Sequence, residues 1–439
     1  MAKHHFPPGY PLLQAYARSR RQVQDPIGSM VESMERFGGT YSVNLGFRRF
    51  IITQDPGFIE YVLKTHQKNY HKSALLTQQL ARFVGNGLLT ANGEYWLRQR
   101  RLIQPGFHGA KVRALYGIMK RTAERFADSF PVGSVDVYPL MNAFAFEVVI
   151  NTLFNIEIPH ESRAALSRFI TETQDFVMRD IRQPLKSWWF RISGEVQRHS
   201  AQAEEARSII RDLIHTRKKS GKRCDDLLDM LLDARYEDTG MAMEEAQVID
   251  EILILLIAGH ETTANALSWT LHLLAGHRSH LAHLRSVTRN INTDQVVVHP
   301  WLNAAINEAM RLYPPAWISD RVALKDDRYG AFTFPAGTIV LLFYYGLHRD
   351  SKWWNDPAAF LPARFITESG SLARPAVYYP FGAGPRMCIG NNFAMAEMTL
   401  FLHTMIHRFD FFPSGVVPRM KPLITLRPDA VVLNVGEVL

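Results

Sequence analysis

The chain has 439 residues, long enough to bury about three quarters of the surface that its unfolded form would expose, so core size sets no limit. Hydrophobic residues at 47% and charged residues at 21% exclude a disordered chain. Basic side chains number 50 and acidic ones 42, a net of +8. No basic block is long or aromatic-interleaved enough for nucleic acid, and a docking face for an acidic protein suits that charge better.

Two cysteines, Cys224 and Cys388, write neither a disulfide framework nor a zinc ribbon, and they suit a reducing cytoplasm. The opening Met1-Ala2-Lys3-His4-His5-Phe6-Pro7-Pro8 lacks the apolar stretch of a secretory signal or anchor. The longest apolar runs, 252–258 and 339–345, fall short of the roughly 18 residues of a spanning helix. A soluble chain without transmembrane segment or internal repeat is expected.

Taken in order, Tyr41, Val43 and Leu45 alternate before Gly46 opens a turn into Phe50-Ile51-Ile52, which predicts a hairpin. Asp55-Pro56 ends it and starts helical text over 58–63. Trp96 and Arg100 stand one turn apart in Gly93-Glu94-Tyr95-Trp96-Leu97-Arg98-Gln99-Arg100-Arg101, on one helix face. From about 110 to 285 a helix period dominates, punctuated by Pro131, Pro139, Pro159 and Pro184. Within it, Trp188-Trp189-Phe190 reads as a pocket lid, a lipid-facing patch or core packing. Cys224 falls in a charged loop and receives no function.

Residues 244–274 hold no proline and one glycine, Gly259, predicting a helix about 45 Å long. At its middle, Ala258-Gly259-His260-Glu261-Thr262-Thr263 sets polar groups into an apolar face; taken alone they are satisfied core groups, a threonine bonding the carbonyl one turn back. His277, His280 and His283 lack acidic or cysteine neighbours and read as a solvated face, not a metal site. Glu308 and Arg311 stand three apart on a helix that Pro314 ends, by itself the pattern of a surface ion pair. Beyond Pro314-Pro315, short β-rich pieces such as 338–343 alternate with irregular text. A helix over 393–407 precedes a β-like tail at Val431-Val432-Leu433. The expectation is a mainly α chain with a small β region, one domain over 1–439, its β-rich portions at roughly 38–55 and 316–439.

The most informative stretch is Phe381-Gly382-Ala383-Gly384-Pro385-Arg386-Met387-Cys388-Ile389-Gly390. Glycine lets the backbone approach a flat ligand, and the start of the following helix favours a thiolate at Cys388. Arg386 is placed to meet an anion. A buried structural cysteine beside a turn is the plainer alternative. The pattern F-x-x-G-x-R-x-C-x-G, carried here by Phe381, Gly384, Arg386, Cys388 and Gly390, resembles the haem-binding signature of the cytochrome P-450 family.

That resemblance, dense over 92–107 and 250–400, implies the P-450 fold and haem b with Cys388 as axial thiolate to iron. Phe381 and Gly390 would frame the haem loop. Arg386, Trp96 and Arg100 would meet haem propionates, with Arg321 as a further partner. Glu261 and Thr262 would be the acid–alcohol pair that delivers protons for O–O cleavage, Gly259 leaving room for oxygen. Glu308 and Arg311 would form a buried network with Arg364 of Pro362-Ala363-Arg364-Phe365, where the family's glutamate is replaced by Ala363.

The implied activity is insertion of one atom of O2 into a small lipophilic substrate, with a slight lean toward the branch that includes fatty-acid hydroxylases. Electrons would come from NAD(P)H through a separate ferredoxin or flavodoxin and its reductase, because the haem motifs fill the chain. Docking is expected at a basic face including Arg98, Arg101, Lys111 and Arg113. A peroxide-driven or isomerising haem-thiolate enzyme and a non-catalytic haem sensor or carrier are the rivals; the Glu261–Thr262 pair ranks both lower. Substrate contacts within 60–90 and 160–200 are not legible.

Overall fold

The computed structural model describes residues 4–46, 48–155, 158–183, 186–224 and 226–438. Pro184, expected as punctuation, lies outside them. The chain divides into two units: residues 1–74, 307–361 and 373–388 form one, and 75–306, 362–372 and 389–439 the other.

The first unit is built on the expected hairpin. Thr40–Asn44 pairs antiparallel with Arg49–Thr53, Tyr41 opposite Ile52 and Val43 opposite Phe50. The sheet has six strands in the order Gly9–Tyr10, Thr40–Asn44, Arg49–Thr53, Ile339–Leu342, Ser319–Ala323 and Tyr70–His71. Arg49–Thr53 and Ile339–Leu342 run parallel, which requires a long crossover and explains how residues far apart in sequence share one sheet. Below it Asp55 caps the helix Pro56–Glu60, accepting from the Phe58 amide at 2.6 Å, with Pro56 at the first helical position. This helix relaxes into a π turn over Tyr61–Thr65 and buries Phe58, Ile59, Val62 and Leu63 with Phe334, Leu342 and Leu347.

The second unit is helical around Glu245–Gly276, a 32-residue helix matching the predicted one to within two residues at its ends. It is buried on most faces, as expected of a helix apolar nearly all round. Three of its hydroxyls are satisfied locally: those of Thr262, Ser268 and Thr270 donate to the carbonyls one turn back at 2.9, 2.7 and 2.7 Å. The helix packs against Val137–Phe154. At Gly259 a β-carbon would stand 3.1 Å from Val149 Cγ2, so this glycine sits at a close helix–helix approach. Val137–Phe154 is long and apolar enough by length and composition to cross a membrane, with 61% of it buried inside the protein. Uninterrupted runs do not reveal it because Asn142, Glu147 and Asn151 break the text.

Two small sheets complete this unit. Phe409–Pro413, Val432–Glu437 and Gly133–Asp136 form one, and the hairpin Met420–Pro422 with Leu426–Pro428 forms the other. The helix expected over 393–407 spans Asn391–Arg408.

Candidate functional site

In the first unit the Cys388 loop is fixed by its own backbone. The Cys388 amide donates to the Phe381 carbonyl at 2.9 Å, and the Met387 amide to the Gly384 carbonyl at 3.0 Å. Gly382 and Gly384 both have φ of +69°, the left-handed region that favours glycine. A β-carbon on Gly384 would lie 1.9 Å from the Leu63 carbonyl oxygen, so the loop rests directly on the π turn. Upstream, the Tyr379 amide donates to His348 Nε2 at 3.0 Å. Cys388 is exposed.

Around this loop the same unit gathers positive charge. Burial, then repulsion from Arg321, pushes the Arg386 guanidinium down to about 9. Lys72, which sequence reasoning missed, is pushed down to about 7 by desolvation, then by Arg321 and Arg386, with Asp320 and Cys388 opposing. Strand pairing explains its place. Tyr70 pairs with Ala323 and His71 with Val322, so the next step of that antiparallel register brings Lys72 opposite Arg321. Nothing local in the sequence marks Lys72; only the pairing does. Cations that repel one another beside a thiol suit a group offering carboxylates and a metal that accepts sulfur, which is the chemistry of haem.

Also in the first unit, Glu308 and Arg311 are both fully buried. The guanidinium donates from Nε to Glu308 Oε2 at 2.7 Å and from Nη2 to Oε1 at 2.8 Å. Its other donors reach the carbonyls of His348 and Pro357, each at 2.8 Å, and of Ala359 at 3.0 Å. Glu308 Oε1 also accepts from the Leu361 amide at 2.9 Å. The pattern of a surface pair is therefore a core clamp on the chain over 348–361. Arg364 is half-buried on the short turn Pro362–Phe365 of the second unit.

The second unit carries Glu261 and Thr262. Glu261 is 6% exposed, and its Oε1 accepts from Thr425 Oγ1 at 2.9 Å. Burial raises this carboxyl, while Thr425 and then Arg427 pull it down. The neighbouring His260 is buried and driven down to about 4 by desolvation, so it is neutral at pH 7. Trp96 and Arg100 lie on the helix Gly93–Ile103, Trp96 buried and Arg100 donating from Nε to Gln104 Oε1 at 3.2 Å. Gly390 caps the helix Asn391–Arg408, its carbonyl accepting from the Ala394 amide at 2.8 Å. The structure thus brings Arg321, Arg386 and Cys388 together in one unit and Glu261 and Thr262 together in the other.

Phe190 is buried against Phe176, whereas Trp188 and Trp189 are exposed. Among the described residues no three His, Cys, Asp or Glu side chains group for a metal. His277, His280 and His283 are half-buried and do not form the expected solvated face: His277 Nδ1 stands 2.7 Å from the Leu273 carbonyl, and His283 packs edge-on against Trp301. The Cys224 amide donates to Asp229 Oδ2 at 2.6 Å, beside the buried pair of Asp226 and Asp229 with Arg217. Arg98, Arg101 and Lys111 border a surface cleft of about 560 Å³. Arg98 already pairs with Asp238 at 3.3 Å and stacks on Tyr236, and Arg113, outside the cleft, stands 4.0 Å from Asp294.

The family description "Cytochrome P450" matches residues 5–435. The chain belongs to the cytochrome P450 family. It is similar to cyclooctat-9-en-7-ol 5-monooxygenase of Streptomyces melanosporofaciens, 28% identical over 93% of this chain and 89% of that protein. A putative cytochrome P450 132 of Mycobacterium tuberculosis is 30% identical, over 89% of this chain and 88% of its own length. The crystal structure of the cytochrome P450DA heme domain superposes with a TM-score of 0.87 at 23% identity, covering 99% of this chain and 98% of that one, a likeness of fold. This P450 is a mainly helical haem-thiolate monooxygenase with small sheets.

Proposed function

We propose that this P450 hydroxylates a small lipophilic molecule, with electrons from NAD(P)H delivered by a separate ferredoxin or flavodoxin and its reductase, in a reducing cytoplasm. Cys388 holds haem iron as a thiolate. Arg386 and Arg321, with Lys72 beside them, would meet the propionates, the family resemblance assigns Trp96 and Arg100 to the same group, and Phe381 and Gly390 would frame the loop. Bound haem supplies reductive activation of dioxygen. The protein's own work is to position and to move protons. Glu261, buried and with a raised affinity for its proton, passes protons toward the reacting centre, and the Thr262 hydroxyl orients the last donor. Glu308 and Arg311, with Arg364, keep the scaffold of the loop rigid.

The observation that carries this reading is the cluster of Arg321, Arg386 and Lys72 beside Cys388, cations whose mutual repulsion favours an anionic group among them. The lipophilic substrate is supported by the Streptomyces relative, whose name specifies an unsaturated alcohol. Of the expected docking residues, Arg101 and Lys111 are the better candidates to meet an acidic electron donor, since Arg98 and Arg113 face Asp238 and Asp294. The dithionite-reduced protein under carbon monoxide should show the red-shifted Soret band of thiolate ligation; a fresh, folded sample without it would refute the assignment. Turnover with hydrogen peroxide but none with NAD(P)H and redox partners would favour a peroxide-driven enzyme. Absence of any substrate-induced spin shift or product across fatty acids, terpenoids and sterols would favour a sensor.

A further inference from the structure

We infer that Thr425, in the turn of the hairpin Met420–Pro422 and Leu426–Pro428, is a positioning residue that orients the Glu261 carboxyl for proton transfer. The inference rests on the proposed role of Glu261 and adds a residue from a distant part of the chain. The direction of the hydrogen bonds follows from donor chemistry. Asn265 Nδ2 can only donate, and it stands 2.9 Å from Thr425 Oγ1. The Thr425 oxygen therefore accepts from Asn265, and its single proton is directed to Glu261 Oε1, also at 2.9 Å. The relay reads Asn265 to Thr425 to Glu261, and both ends lie one turn apart on the same face of the long helix.

All three residues are buried. Glu261 Oε2 is buried too, and among the described residues no protein hydrogen bond reaches it. One carboxyl oxygen is thus held while the other stays open to receive and release a proton. The charged and titratable groups that act on this carboxyl are Arg427, two residues further along the hairpin, Asp175, and Tyr138. Arg427 and Asp175 pair at 3.0 Å, so much of their influence cancels and the Thr425 hydroxyl is the nearest specific contact.

The test compares Thr425→Val, Thr425→Ser and Glu261→Gln in the holoenzyme with a substrate that produces a spin shift. Thr425→Val should lower kcat about tenfold with KM within about twofold, at the low end of what a proton-transfer group supplies. It should also move the acidic limb of the pH profile upward, because a bond that stabilises the carboxylate is lost. Thr425→Ser should restore both. Adding Thr425→Val to Glu261→Gln should cost little further turnover, and the melting-temperature changes of the two substitutions should not add. Wild-type turnover and pH limb in Thr425→Val, or strictly additive melting temperatures, would overturn the inference while leaving the role of Glu261 intact. Full turnover by Glu261→Gln would instead remove that role and the inference with it. Should Val not be tolerated, Thr425→Ala is read by the same criteria.

Discussion

Glu308 and Arg311 meet in a two-pronged ion pair that water does not reach: both side chains are 0% exposed, and the two bonds measure 2.7 and 2.8 Å. The remaining guanidinium donors end on three carbonyls between His348 and Ala359. One side chain thereby ties the end of the helix Pro300–Leu312 to a long irregular segment that has little regular hydrogen bonding of its own.

Breaking that pair from one side strands a charge. Arg311→Met should lower unfolding free energy by about 3–5 kcal/mol, the usual cost of leaving a buried partner uncompensated. Arg311→Lys should recover only part of it, because an ammonium cannot serve a carboxylate fork and three carbonyls at once. Urea unfolding followed by tryptophan fluorescence measures both, and equal stability of Lys and wild type would contradict the five-bond geometry.

Gly384 is the second rigid point. A side chain there would be strained by the left-handed backbone, about 1–3 kcal/mol, before it met the Leu63 carbonyl. Gly384→Ala should therefore yield protein that retains little haem, seen as a fallen ratio of Soret to 280 nm absorbance. Gly382→Ala has the same φ but nothing within 4 Å of the added carbon, so it should cost the backbone strain alone.

The long helix, the front hairpin and the Cys388 loop were legible because each is written locally, in a period, a turn or a spacing. Burial of Glu308 and Arg311 was not: an i, i+3 pair looks alike on a surface and in a core, and only the family resemblance separated them. Lys72 and Thr425 were invisible for another reason. Each gains its role from a partner far along the chain, Lys72 through the pairing of Tyr70–His71 with Ser319–Ala323 and Thr425 through a hairpin turn laid on the long helix. At Gly259 an added β-carbon would crowd Val149, a packing constraint that no single sequence motif encodes.

Lys72 offers a direct test of the charge pattern beside Cys388. Replacing it with Gln removes one of the mutually repelling cations without changing length greatly. If that charge answers a propionate, haem affinity should fall about tenfold, the equivalent of ~1.4 kcal/mol, within the range of one charge-assisted hydrogen bond. Transfer of haem to excess apomyoglobin measures this without any turnover. Unchanged or slower transfer would mean that Lys72 serves the fold and not the cofactor.

Two buried groups should give opposite slopes in the dependence of stability on pH. Glu251 is 0% exposed; burial lifts its carboxyl from 4.5 to about 7, although the Leu88 amide and Gln247 pull the other way. Its folded form holds the proton more tightly than the unfolded chain, so its contribution is complete below pH 4.5 and is lost as pH rises toward 7. At 1.36 kcal/mol per unit this amounts to about 3 kcal/mol, an order-of-magnitude figure. His260 is the reverse: burial lowers it from 6.5 to about 4, so its contribution is complete above pH 6.5 and disappears as pH falls toward 4. Melting temperatures of wild type and Glu251→Gln, taken from pH 4.5 to 8, should converge with rising pH, the wild type losing its acidic-side advantage. The same comparison with His260→Asn should show the wild type falling relative to the variant below pH 6.5. Parallel curves in either comparison would mean that the group concerned titrates alike in the folded and unfolded chains, and that its burial is relieved by water reaching the long helix.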